Sequence, residues 1–220
     1  MITSVGDSLG WPFKDPSWLS KIVLQGLILI IPIIGQIALY GWLLITMDNL
    51  RAGRNELAPA GFHLGRGIGL FGVYLIYGIV IAIPAVVLGV AGGAMVAQNS
   101  GGGGSALIAL GYLYEIVAGL FLLFLAPSII STVWERGFSG GMDVASVWQR
   151  AIANPTNSIL AGLIILAAGV IASFGFILCF VGILFTTVWS NGVQAAAAFW
   201  FASQSRGTAQ APSAAGPTAQ

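Results

Sequence analysis

The run Ile68–Ala97, IGLFGVYLIYGIVIAIPAVVLGVAGGAMVA, holds no charged residue, and its length decides how the chain is read. A helix needs about 20 predominantly apolar residues to cross about 30 Å of hydrocarbon, and this run exceeds that. Three more stretches match it: Ile22–Thr46, Ser105–Val133 and Ser158–Phe201. Across the whole chain 57% of residues are hydrophobic, 7% are charged, and the mean hydropathy is +0.94. Ordinary soluble domains carry about 25% charged residues. The implied fold class is all-α, a polytopic transmembrane helical bundle with the lipid bilayer as its first partner.

At 220 residues the chain reads as one domain. Residues 1–21 form an N-terminal interfacial segment, 22–202 the helical domain, and 203–220 a tail of Ala, Pro, Gly, Gln, Ser and Thr expected to be disordered. The first segment has no short apolar core and does not read as a cleavable signal peptide. A formal net charge of +1, with no basic stripe to neutralise phosphates, excludes nucleic acid as a partner. A single cysteine, Cys179, excludes an internal disulfide.

Within the first run, Ile31-Pro32-Ile33-Ile34-Gly35 interrupts the helix, because proline lacks a donor and clashes with the preceding turn. One kinked span is the preferred geometry; a re-entrant hairpin is the other. Pro84 is a second interruption, inside the second run. Gln98-Asn99-Ser100 and four glycines then join an antiparallel pair of spans. The last run is too long for one crossing and divides near Phe180–Gly182, into Ser158–Leu178 and Ile183–Phe201. Five spans result. Lys/Arg counting then puts Arg51, Arg54, Arg66, Arg136, Arg150 and Arg206 on one side, opposite Lys14 and Lys21. That split predicts an inner-membrane protein with a cytoplasmic C-terminus and an outside N-terminus. The re-entrant geometry would place every Lys and Arg on the cytoplasmic side.

Asp143–Asn154 carries Val144, Val147, Trp148, Ala151 and Ile152 at helical spacing, opposite Gln149 and Arg150, and predicts a short interfacial amphipathic helix. Trp11, Trp18, Trp134 and Trp148 are the expected interfacial anchors. A weak internal echo pairs the segment from Tyr40 through Arg51–Arg54 to Ile68 with that from Ala126 through Glu135–Gly137 to Ser158. A duplication would put a site between the halves.

Two stretches together carry a resemblance. One is Asp15–Ile22 leading through Ile31–Gly35 to Tyr40-Gly41-Trp42. The other is Trp148–Pro155, with Leu178–Thr186 after it. In order and spacing the chain resembles an uncharacterised family of prokaryotic integral membrane proteins, known only as a domain of unknown function, over about Phe13–Phe201. That resemblance implies a multi-span helical protein and brings no functional residue with it.

Few residues suggest chemistry. Glu115 lies inside an apolar run, where an acidic group costs about 2.5–3.5 kcal/mol at a helix centre on insertion scales. It is a candidate intramembrane proton or cation site, with Gln36, Asn191 and Gln194 from other helices; the plainer reading sets it near the headgroups. Gly137-Phe138-Ser139-Gly140-Gly141 matches G-x-S-x-G and looks like the serine motif of rhomboid proteases. Its necessary later histidine is missing, and no strand supports a nucleophile elbow. His63 is the sole histidine and reads as a solvated loop residue, so no metal and no catalytic residue are expected. The pairs Gly65/Gly69 and Gly89/Gly93 support close helix packing. The expectation is a non-enzymatic accessory or structural subunit that meets other membrane subunits. No cofactor is specified, although a pigment or quinone suits its apolar faces. A small transporter or channel using Glu115 is the alternative.

Overall fold

The computed structural model describes residues 2–98 and 102–209, and among these it is helical without strands. The order is α1 (Asp7–Gly10), a 3-10 turn (Trp11–Lys14), α2 (Trp18–Leu29), α3 (Ile34–Arg51), α4 (Leu64–Ala97), α5 (Gly103–Met142), α6 (Val144–Ala153) and α7 (Pro155–Ser173). A 3-10 segment (Phe174–Leu178) then leads into α8 (Cys179–Ala209). Among the described residues three segments are long and apolar enough to cross a membrane: Leu64–Ala97, Gly103–Met142 and Pro155–Ile177.

Six helices pair as three successive hairpins. In the first, Pro32 is followed by Ile33 at φ 64°, a value rare for a β-branched residue. Gly35 then starts α3 hard against α2: a Cβ there would lie 2.5 Å from the Ile28 carbonyl oxygen. At the other end of α2, Lys21 Nζ donates to the Leu57 carbonyl at 3.0 Å and Gln25 Oε1 accepts from the Gly61 amide at 3.0 Å. Both acceptor and donor belong to the segment after α3, so α2 and α3 are antiparallel. The single kinked span expected over Ile22–Thr46 is thus corrected to a hairpin. The reason is local: the Pro32-Ile33 turn reverses the chain, and α2, at 12 residues, is only about 18 Å long.

The second hairpin pairs α4 with α5, as expected. Gly92 packs against the Gly104 carbonyl, and Gly111 against that of Ala85. The interruption expected at Pro84 does not occur; α4 continues through it for 34 residues, about 51 Å. In hydrocarbon a helix offers the backbone its only internal hydrogen bonding, so a proline is absorbed. The hairpin's turn includes residues 99–101, which lie outside the described ones. α5 bends where Gly137 adopts φ 70°, ψ −159°.

The third hairpin is α7 with α8, closed where Thr186 Oγ1 donates to the Ala172 carbonyl at 2.8 Å. Its turn falls at Phe174–Leu178, slightly before the expected division. α8 also extends through Ser203 to Ala209, into the expected tail; residues 210–220 lie outside the described ones. The predicted α6 is present, N-capped by Asp143, whose Oδ1 accepts from the Ser146 amide at 3.0 Å. Its Val147 and Ala151 are buried, while Val144, Trp148 and Ile152 remain exposed.

The core gathers Leu43, Met47, Leu70, Val73, Ile129, Ile130 and Val133 around α8, whose Ala195–Ala198 are fully buried. Beyond this hub the far halves of α4 and α5 form an arm. Their outward side chains are apolar and bare, with Val90 at 69% and Ile116 at 61% exposure. Gly89 and Gly93, expected in a packing interface, face open space.

Candidate functional site

Two places concentrate polar groups. The first is at the open ends of the hairpins, where the connections α3–α4 and α5–α6 converge with the end of α8. Asp48, Arg51, Arg66, Trp134, Glu135, Arg150 and Ser205 line a basin of about 710 Å³. Asp48 organises it: Oδ2 accepts from Arg66 at 2.6 Å and Oδ1 from the Trp134 indole at 2.8 Å. Arg51 lies 5.6 Å from the centre of the Trp134 ring, within cation–π range. Arg150 bridges Glu135 at 2.6 Å and Ser131 Oγ at 3.1 Å. The two segments of the sequence echo therefore do meet here.

A latch ties the N-terminal segment to the same end. Asp15, 2% exposed, accepts from Lys21 Nζ at 2.7 Å, from the Leu57 amide at 2.8 Å and from the Ser17 amide at 2.8 Å. Burial opposes its ionisation, but these donors outweigh burial and hold the carboxyl below the usual range. Beside it, Trp42 Nε1 donates to the Ala58 carbonyl at 2.8 Å, and the Ala58 amide donates to Thr46 Oγ1 at 3.1 Å. The 52–63 connection, which has no helix, satisfies its backbone in this way against α2 and α3.

The second place is inside the bundle. Gln36, Asn191 and Gln194, expected together, line one cavity of about 390 Å³ with Tyr40, Tyr74, Gly119, Leu122, Leu123, Ala126 and Ile165. Tyr40 and Tyr74 stack with ring centres 5.5 Å apart. Asn191 is 5% exposed; its Nδ2 donates to the Thr187 carbonyl at 3.0 Å, while its Oδ1 is buried with no partner. The tyrosines were invisible to motif reading, since an aromatic in an apolar run reads as core. Their one signal was helical spacing, with Gln36 and Tyr40 one turn apart on α3.

Glu115 does not line that cavity. It lies one turn from Gly119 on the same stripe of α5, is exposed, and borders a separate hollow of about 370 Å³ with Ala85, Val86 and Gly89. Of the expected anchors, Trp148 is 41% exposed and Trp18 half-buried, but Trp11 and Trp134 lie in the core, at 1% and 5% exposure. A tryptophan beside charges reads alike whether it faces headgroups or caps the core, and here the Trp134 N–H has Asp48 to bond. Ser139 Oγ bonds the Arg136 carbonyl at 3.3 Å, and His63 Nε2 pairs with the Pro59 carbonyl oxygen at 2.8 Å. Each is occupied locally. Among the described residues no three His, Cys, Asp or Glu side chains gather.

A family described as "Protein of unknown function (DUF4013)" matches residues 24–181. No curated protein and no solved structure matches the chain. With most of its length covered, the chain belongs to the DUF4013 family, as the resemblance of Asp15–Gly35 and Trp148–Thr186 implied.

Proposed function

We propose that this DUF4013 protein is a non-enzymatic subunit of the inner membrane, structural or accessory to a larger assembly. The observation that supports this most is the α4–α5 arm, whose Val80, Val86, Val87, Val90, Leu113, Ile116 and Val117 are exposed around a hairpin packed only on itself beyond the hub. Without water to drive association, helices in lipid meet through such shaped apolar faces. Lipid, other subunits and a pigment or quinone are the partners such a surface suits.

The hairpins support one orientation. Apart from Glu115, every charged residue falls in residues 1–21, in the last turn of α3, in the connection to α4 or the first turn of α4, between the last third of α5 and the end of α6, or near the end of α8. The turn Ile30–Ile33 and the turn Phe174–Leu178 carry no charge. The positive-inside rule then sets all eight Lys and Arg, with both termini, in the cytoplasm.

The test is gentle extraction from native membranes, native mass spectrometry, cross-linking and an absorbance scan. A stoichiometric partner with cross-links at residues 75–121 is expected. A colourless, solitary protein would overturn the reading. A second reading, a small transporter or channel, draws on the intramembrane cavity and on Glu115. For that reading Glu115→Gln should abolish proton-coupled flux in proteoliposomes while leaving folding intact.

A further inference from the structure

We infer that the basin at the open ends of the hairpins binds the phosphate group of an anionic ligand, with Arg51, Arg66 and Arg150 as its donors. Three guanidinium groups line it against two carboxylates, which leaves one positive charge in excess. Both carboxylates are engaged. Asp48 gives one oxygen to Arg66 and the other to the Trp134 indole, and Glu135 holds Arg150 at 2.6 Å. What the basin still offers is a set of N–H donors, and donors select an acceptor-rich anion over a cation.

A guanidinium has five N–H donors, and the ion pairs here occupy few of them. Arg66 gives one nitrogen to Asp48; Arg150 gives two, to Glu135 and to Ser131. Those bonds hold the two side chains in place while 48% of Arg66 and 24% of Arg150 stay accessible to a ligand. Arg51 is different. Its guanidinium is exposed, has no carboxylate and no hydrogen-bond partner among the described residues, and lies 5.6 Å from the centre of the Trp134 ring. An indole face positions a cation without neutralising it. Two held forks and one uncompensated cation share a space of about 710 Å³. That arrangement suits a tetrahedral group with three or more acceptor oxygens, whereas a carboxylate is served by a single fork. The space also leaves room for the organic body of a phosphate ester.

The height of the basin favours a ligand that arrives from water. Arg66 is 31 residues from Ala97 along α4, and Trp134 is 31 from Gly103 along α5. Each distance is about 46 Å, against about 40–45 Å for a bilayer with its headgroups. With the far end of the arm at one surface, the basin stands at the outer edge of the opposite headgroup layer.

The test uses the full chain in phosphatidylcholine nanodiscs, titrated calorimetrically with inorganic pyrophosphate at physiological ionic strength. Saturable binding at one site per chain is expected. Arg51→Gln should weaken it about tenfold or more, the effect of one charge-assisted hydrogen bond. Lys14→Gln removes the same charge at the same end of the bundle, outside the basin, and should bind as the wild type does. Both replaced side chains are exposed, so neither change disturbs the core. A second titration, in nanodiscs containing phosphatidylglycerol, separates the two sources of phosphate. Undiminished affinity there, the expected result, marks a soluble phosphate ester. An affinity that falls in the wild type alone marks a lipid headgroup in the same site. No saturable binding, wild-type affinity in Arg51→Gln, or an equal loss in both variants would overturn the site, the last because the attraction would then be diffuse charge. Binding in nanodiscs needs no other subunit, so this inference and the assembly reading can fail separately.

Discussion

The hub and the arm are both built from largely apolar helices and do opposite things with their faces. In the hub, α8 presents Ala195–Ala198 and α5 presents Ser128, Ser131 and Thr132, all buried. Small side chains let helix backbones approach, and each hydroxyl returns a hydrogen bond to a carbonyl, as Ser128 Oγ does to Val147 at 2.7 Å. In the arm, α4 and α5 carry Val, Ile and Leu outward, and among the described residues nothing else packs against them. Lipid tails solvate these side chains as well as a protein core would. Along α8 the packed face is marked by its small side chains, Ala195–Ala198, whereas the outward faces of the arm carry branched apolar ones.

Four substitutions set hub against arm, all read as unfolding free energy in mixed micelles. Asp15→Ala should have the largest effect, about 3 kcal/mol, since it strands Lys21 and the Leu57 amide beside a buried vacancy. The same latch should give way in acid. A carboxyl held below its unfolded value stabilises the fold fully above about pH 4, and that stability is lost as pH falls through the folded value. Loss of the latch at alkaline pH instead would show that the sign is wrong. Ala197→Leu, overfilling the α8 seam, should cost about 2 kcal/mol. Trp134→Phe removes the bond to Asp48 and should cost about 1 kcal/mol. Val87→Leu on the arm should change stability by less than about 0.5 kcal/mol. An arm effect as large as that of Ala197→Leu would mean the hairpin is packed against something in the isolated protein, and the distinction between hub and arm would fail.

Much of this fold was legible in the residues. The four apolar runs, the α4–α5 pairing, the split of the last run and the Asp143-capped α6 follow from length, glycine and helical spacing. The features that escaped were set by tertiary contact. Pro32 and Pro84 are the same residue in similar surroundings, yet one marks a reversal and the other leaves α4 unbroken. The difference lies just downstream of each proline: Ile33 takes φ 64° and Gly35 permits α2 and α3 to touch, whereas Ala85 after Pro84 stays helical, already packed against Gly111 of α5. Trp11 and Trp134 likewise read as belt residues and are core. Within the cavity, the three amides were legible as polar residues in apolar runs. Tyr40 and Tyr74 were not, because an aromatic in an apolar run reads as core, and the one-turn spacing of Tyr40 from Gln36 does not reveal a stacking partner on another helix. Glu115 was the most conspicuous residue of all and lies outside the cavity, one turn along the stripe.

The reversal of the first apolar run matters most, because it makes all three hairpins open at one end of the bundle, and the proposed orientation rests on it. Single cysteines at Ser17→Cys and Asn55→Cys, in a Cys179→Ser background, flank that run. Labelling with a membrane-impermeant maleimide, in sealed vesicles of each orientation, reads the side of each. Modification of both positions from the same side, in inverted vesicles only, is the result the hairpin requires. Modification of the two from opposite sides would make Ile22–Thr46 a span and rule the hairpin out.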